Sequence, residues 1–157
     1  MTIQGRTTGP EQKGDNMREI LFRGKRIDNG EWVTGSLLVW PDGQMEICTR
    51  TSSEETQMDK LTVYPETVGQ FIGLTDKNGK KVFEGDILRI WNVFQQSYVG
   101  KCIVKYGRIT KFGGDGVYGW YLDGGDIHDL VDYCGMEYEI CGNIHDTTEL
   151  LGGGSHE

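Results

Sequence analysis

The stretch "TDKNGKKVFEGDILRI", Thr75 to Ile90, is the most patterned part of the chain. Three structures compete for it: a calcium loop starting at Asp76, a phosphate cradle around Gly79-Lys80, and two tight corners between strands. A calcium loop of the EF-hand kind needs a bidentate Glu at its twelfth position. Counted from Asp76, that position is Ile87. A P-loop ends in Gly-Lys followed by a hydroxyl residue for magnesium. Here Gly79-Lys80 is followed by Lys81. The corners remain. Asn78-Gly79 is the strongest two-residue hairpin signal, since both residues tolerate positive φ, with Ile72 and Leu74 before it and Val82 and Phe83 after it. Gly85-Asp86 gives a second corner. Gly supplies the left-handed conformation, and the Asp carboxylate accepts backbone N–H bonds as the chain enters Ile87-Leu88-Arg89-Ile90. Asp86 therefore reads as a turn-holder rather than a catalytic acid.

Working outward toward the N-terminus, "REILFRGKRI" runs to the turn Asp28-Asn29-Gly30, "EWVTGSLLVW" runs to Pro41-Asp42-Gly43, and "QMEICTRT" follows. The apolar period is two, which predicts a three-stranded meander. "SSEETQMDK" is polar and reads as a loop. Pro65 followed by Glu66 has the order of a first helical turn, and Gly69 ends it after one turn. Toward the C-terminus, "ILRIWNVF", "YVGKCIVKYGRITKF", "VYGWYLD" and "YEICGNI" are rich in β-branched and aromatic residues and read as strands. "DIHDLVDY" places Ile127, Leu130 and Val131 at helical spacing and predicts one short helix. The fold class is all-β, and the 24 glycines without a fixed repeat suit the corners of a small curled sheet.

At 157 residues the chain makes one ordinary domain or two very small ones sharing a core. The first sixteen residues, 1–16, are too poor in apolar side chains to pack. The codons for Lys13-Gly14-Asp15 can carry a purine-rich ribosome-binding sequence just before Met17, so translation is expected to start at Met17. The tail 152–157, "GGGSHE", is linker-like. No apolar run approaches the ~20 residues that cross a bilayer, and no signal peptide is visible, which predicts a cytoplasmic protein without a membrane partner. Cys48, Cys102, Cys134 and Cys141 form no CxxC pair and read as reduced, buried small hydrophobes.

The net charge of −8 argues against coating nucleic acid through an overall field. Between Lys77 and Lys111, eight basic residues stand against only Glu84 and Asp86. From Asp123 to Glu149 there are eight acidic residues and no Lys or Arg. Such asymmetry means either two binding faces or strands that pair basic with acidic across a sheet.

Gly114-Asp115-Gly116-Val117-Tyr118-Gly119 fits the G-x-G-x-x-G pattern, but the strand-like "WYLD" follows where a dinucleotide site needs a helix. It reads as a hairpin loop, and no cofactor is expected. His128, Cys134, Cys141 and His145 are zinc-ligand types at spacings that match no common zinc pattern, so no metal is expected. No nucleophile elbow or acid–base grouping is visible, and a non-enzyme is expected. The third of the chain from Trp91 to Trp120 interleaves Trp91, Phe94, Tyr98, Tyr106, Phe112, Tyr118 and Trp120 with Lys101, Lys105, Arg108 and Lys111. Trp91, Lys101, Lys105, Tyr106, Arg108, Lys111 and Trp120 form a candidate face for nucleic acid or a partner. Aromatic platforms beside a basic groove hold single strands. The competing reading puts the aromatics in the core and the lysines on a solvated face.

"PETVGQFIGLTDKNGKKVFEGDIL", Pro65 to Leu88, with "REILFRGKRIDNGEW" upstream and "CGNIHDTTELL" at the end, closely resembles the YopX-like family of phage and prophage proteins. The resemblance runs from Met17 to Leu151 in the family's order. It implies an SH3-like small barrel over 65–151 preceded by a smaller β segment over 17–64. The family's function is undetermined, so the resemblance implies no catalytic residues. The expected function is a phage- or prophage-encoded, non-catalytic protein-interaction module in the bacterial host cytoplasm. Its partner is a host or phage protein, with Asp123 to Glu149 as the candidate docking face. The alternative is a nucleic-acid-binding small barrel using region 91–120. A homo-oligomer is also compatible, because small strand-rich proteins cover open edges by self-association.

Overall fold

The computed structural model describes residues 18–50, 57–110, 115–124 and 135–147, together with the backbone of 127–130. The leader 1–16, the tail 152–157, Lys111, Phe112, Gly114 and Cys134 lie outside the described residues. Among the described residues, eleven strands and one 3-10 turn form two antiparallel sheets, so the protein is all-β. Also among them, no helix is long and apolar enough to cross a membrane.

The first four strands, β1 (Phe22–Lys25), β2 (Trp32–Val39), β3 (Met45–Thr49) and β4 (Asp59–Val63), pair in chain order as a meander. The expected meander had three strands. The fourth begins with the polar pair Asp59-Lys60, which reads as loop in isolation, and only Leu61 and Val63 carry the inward alternation. Charged residues at an edge strand discourage pairing with other chains. The end of β4 returns to the end of β1: Ile27 N–H donates to Thr62 O at 3.0 Å and Tyr64 N–H to Lys25 O at 2.8 Å. The sheet therefore curls, and Ile47 and Val63 are fully buried.

A single 3-10 turn, Pro65–Thr67, starts on the proline and stops two residues before Gly69. Thr67 Oγ1 accepts the Lys25 N–H at 2.9 Å, which fixes the turn against β1. β5 (Gly69–Thr75) then pairs with the other side of β1, and β6 (Lys81–Phe83) pairs with β5. The first sheet has the order β4-β3-β2-β1-β5-β6.

The second sheet holds β7 (Asp86–Asn92), β8 (Ser97–Ile109), β9 (Val117–Gly124), β10 (Ile127–Leu130) and β11 (Met136–Asn143) in the order β10-β9-β8-β7-β11. The short helix expected around Ile127 is overturned, because Ile127–Leu130 pairs antiparallel with β9. A run this short cannot offset the cost of helix nucleation, whereas the open side of β9 offers N–H and C=O partners at once. Among the described residues no sheet is closed, so the barrel expected from the resemblance is not shown.

The main core lies between the sheets. Val82 from β6 packs with Leu88, Ile90, Cys102, Val104 and Leu122 from the second sheet, flanked by Ile72, Trp120, Met136, Tyr138 and Ile140. Burial pushes the Cys102 thiol up to about 12, which keeps it protonated and unreactive. Cys48 and Cys141 are half-buried rather than fully buried, and all three described cysteines are free.

Candidate functional site

The two corners of the Thr75 to Ile90 stretch join the sheets. In the first, Asp76 N–H donates to Lys80 O at 2.7 Å and Gly79 N–H to Asp76 O at 2.9 Å. The loop between Asp76 and Lys80 thus has three residues, Lys77, Asn78 and Gly79, instead of the two expected. Gly79 takes φ +80°, while Asn78 does not enter the positive region. The Asp76 side chain accounts for the difference. Its Oδ1 accepts the N–H groups of Asn78 and Lys80, both at 2.9 Å, which stabilises a turn followed by a left-handed glycine. Its Oδ2 reaches the second sheet and accepts the Ile140 N–H at 3.1 Å, and Lys77 N–H donates to Tyr138 O at 2.9 Å. The loop therefore covers the free edge of β11. Burial opposes the charged form of Asp76, but the N–H groups of Ile140, Lys80 and Asn78 outweigh it and hold its carboxyl below the usual range.

At the second corner Gly85 has φ +89°, donates to Val104 O and accepts from Ile144 N–H, both at 2.9 Å. Asp86 is buried at 1% exposure. Its Oδ2 accepts the Phe83 N–H at 2.8 Å, and its Oδ1 pairs with Arg23 Nη1 at 2.7 Å. The Arg23 guanidinium lies 4.7 Å from the Trp32 ring centroid and 5.0 Å from that of Phe83. Its Nε is buried without a hydrogen-bond partner. Burial pushes the Asp86 carboxyl up, against the pull of Arg23 and the Phe83 N–H.

Beside this pair, Trp32 Nε1 donates to Asp146 Oδ2 at 2.7 Å, and Lys25 forms an ion pair with Asp146. Lys25 and then Trp32 hold the Asp146 carboxyl down at about 2. The His145 ring lies 5.9 Å from the Trp32 ring, and burial followed by the nearby Arg23 charge lowers its pKa. The stretches "FRGK", "EW", "FEGD" and "NIHD" thus converge on one polar seam that braces the sheets. Sequence reading identified Asp86 in it and missed Arg23, Trp32 and Asp146, and it also missed the contact of Asp76 with β11. Arg23 directly after the apolar run Ile20-Leu21-Phe22 was the available signal, but its partner is distant in the chain.

The candidate face from Trp91 to Trp120 divides into two surfaces. Glu139, Arg89 and Lys101 stand in register across β11, β7 and β8, and Glu137 stands opposite Trp91. Lys105 pairs with Asp123 at 2.5 Å, and Lys77 with Glu139 at 3.6 Å. The charge asymmetry of the sequence therefore resolves into acid–base pairs across one sheet face, which carries Trp91, Lys101 and Lys105. Tyr106, Arg108 and Trp120 lie on the other face, where Tyr106 stands opposite Trp120 and Arg108 opposite Tyr118. Arg108 Nε donates to Asp115 O at 2.9 Å.

At the β7–β8 hairpin end, Trp91, Val93, Phe94, Tyr98 and Val99 are all exposed, Phe94 to 78%. The Trp91 and Tyr98 rings meet at 5.2 Å. Val93 N–H donates to Gly135 O at 2.8 Å, and a Cβ at Gly135 would lie 2.2 Å from the Phe94 ring, so the tip is seated on the chain before β11. Among the described residues, no cluster of three or more His, Cys, Asp or Glu side chains has metal-holding geometry. Of the zinc-type residues, Cys134 and the His128 side chain lie outside the described residues, while Cys141 Sγ donates to Ile87 O at 3.4 Å.

Fold and surfaces together define a two-sheet all-β protein with an apolar hairpin end. The chain belongs to the YopX family, matching the family described as "YopX protein" over residues 21–152. It is also similar to a solved structure, the crystal structure of protein EF1440 from Enterococcus faecalis. The identity is 21% over 87% of this chain and 100% of that chain, with a TM-score of 0.47. No curated protein matches it.

Proposed function

We propose that this protein is a non-catalytic protein-interaction module, phage- or prophage-encoded and acting in the host cytoplasm. It holds a host or phage protein through the β7–β8 hairpin end. The observation that carries this reading is the joint exposure of Trp91, Val93, Phe94, Tyr98 and Val99 on a tip anchored to Gly135. A contiguous exposed apolar patch on a small protein marks an interaction site, and an anchored tip loses little entropy on binding. The docking face accordingly moves from the acidic segment 123–149 to the hairpin, since Asp123 and Glu139 already pair with lysines of their own chain. The finer fold reading, an SH3-like half over 65–151, draws support from the five-stranded order in which β11 returns beside β7.

The nucleic-acid reading rests on exposed Tyr106 and Tyr118, which offer stacking surfaces. It is the weaker of the two, because Lys105 and Arg108 are engaged within the chain and the net charge is −8. Capture of partners by wild type and by a Trp91→Ser/Phe94→Ser variant, each checked for folding by circular dichroism, tests the proposal. A partner retained by wild type and lost by the variant is expected; equal retention refutes it. Anisotropy with labelled oligonucleotides is expected to show no binding at low salt. Tight binding with a steep salt dependence would favour the nucleic-acid reading instead.

A further inference from the structure

Tyr106, Tyr118 and Trp120 project from one face of the β8–β9 pair, with the Tyr106 and Trp120 rings meeting edge-on at 4.9 Å. They line a cleft of about 460 Å³ together with Gln70 of β5, Glu84 of the second corner, Gly119 and Arg18. This volume lies within the range of ligand sites, roughly 300–1,000 Å³.

Glu84 sets the chemistry. Among the described residues, no Lys, Arg or His reaches its carboxylate within ion-pair distance. Burial pushes its carboxyl up, and the Gln70 backbone N–H only partly offsets this. A half-buried carboxylate without a counter-ion favours an incoming cation. The electron-rich faces of Tyr and Trp favour the same charge. Tyr106 and Tyr118 are exposed at 54% and 71%, so their rings are open to a visitor. Arg108 is held by the Asp115 carbonyl, and Arg18, exposed, lines the cleft without reaching the Glu84 carboxylate.

We propose that this cleft takes a basic side chain, the ammonium of a lysine or the guanidinium of an arginine, presented by a partner polypeptide. The proposal rests on the interaction-module reading and supplies the partner's chemistry. The net charge of −8 draws a basic segment toward the protein. The cleft sits toward the Ile109 end of β8 and the hairpin at the Ser97 end, about 30 Å apart at strand rise, with Trp91 on the opposite face of the sheet from Tyr106 and Trp120.

Capped tripeptides Gly-Lys-Gly, Gly-Arg-Gly, Gly-norleucine-Gly and Gly-Glu-Gly, titrated into the full chain and followed by NMR at the Trp120 indole N–H, test the proposal. The Lys and Arg peptides are expected to shift that signal, with the norleucine and Glu peptides at least about tenfold weaker. Glu84→Gln and Tyr118→Ala should each weaken the basic peptides, the first by about tenfold. Arg18→Ala should strengthen them by removing a competing cation. Preference for the Glu peptide, weakening by Arg18→Ala, or indifference to Glu84→Gln would overturn the proposal by marking the cleft as anion-binding or unselective. No shift with any peptide would overturn it as well. The interaction-module reading is judged separately, by the Trp91→Ser/Phe94→Ser variant.

Discussion

Asp76 and Asp86 are both buried carboxylates in one short stretch, yet their balances differ. Asp76 has three N–H donors and no cation within ion-pair distance among the described residues, whereas Asp86 relies on Arg23. Asp76→Ala strands three N–H groups, one of them on β11, and is expected to cost about 2–4 kcal/mol in urea denaturation. Asp86→Ala leaves the Arg23 guanidinium enclosed without its counter-ion and should cost about 3–5 kcal/mol, more than replacing both residues with apolar ones. Asp146 provides a test in acid. Its folded carboxyl lies at about 2, below the ordinary 3.8, so its contribution is complete above that ordinary value and is lost as pH falls toward about 2. Asp86 is shifted upward and works in the opposite sense, so only a comparison isolates Asp146. Between about pH 5 and pH 2.5, Asp146→Asn should lose less stability than wild type by urea midpoint. Of these roles the sequence disclosed the turn-holding of Asp86, because it depends on neighbours within the same corner. Arg23 and the β11 contact of Asp76 arise from strand order, which no local pattern encodes.

The loop between β5 and β6 shows how a strong local signal can be right about place and wrong about form. Asn-Gly located the corner, but the Asp76 carboxylate organises the backbone, so only Gly79 becomes left-handed. A Cβ at Gly79 meets nothing within 4 Å. The cost of Gly79→Ala is therefore purely conformational, about 1–2 kcal/mol, and Gly79→Asn should cost less. Strands with period-two alternation, such as β2 and β7, were legible. β4 hides behind Asp59-Lys60, and β10 is too short for its helical spacing to decide anything. At the hairpin, Phe94→Ser should change unfolding free energy by no more than about 0.5 kcal/mol, because its ring is mostly in solvent. That separation of stability from binding is what makes the hairpin a usable probe.

Across the whole molecule, two open sheets are fastened by the Thr75 to Ile90 stretch. Its first corner covers β11, and its second anchors the Arg23–Asp86 pair. The apparent split into basic and acidic halves becomes pairing across the second sheet, and the exposed hairpin is an apolar surface outside those ion pairs. A photoreactive phenylalanine placed at position 94, with one at Asp42 on the β2–β3 turn as control, tests this most directly in the cell that carries the gene. The account predicts a discrete protein adduct from position 94 and none from position 42. No adduct from position 94, or the same adducts from both positions, would contradict it.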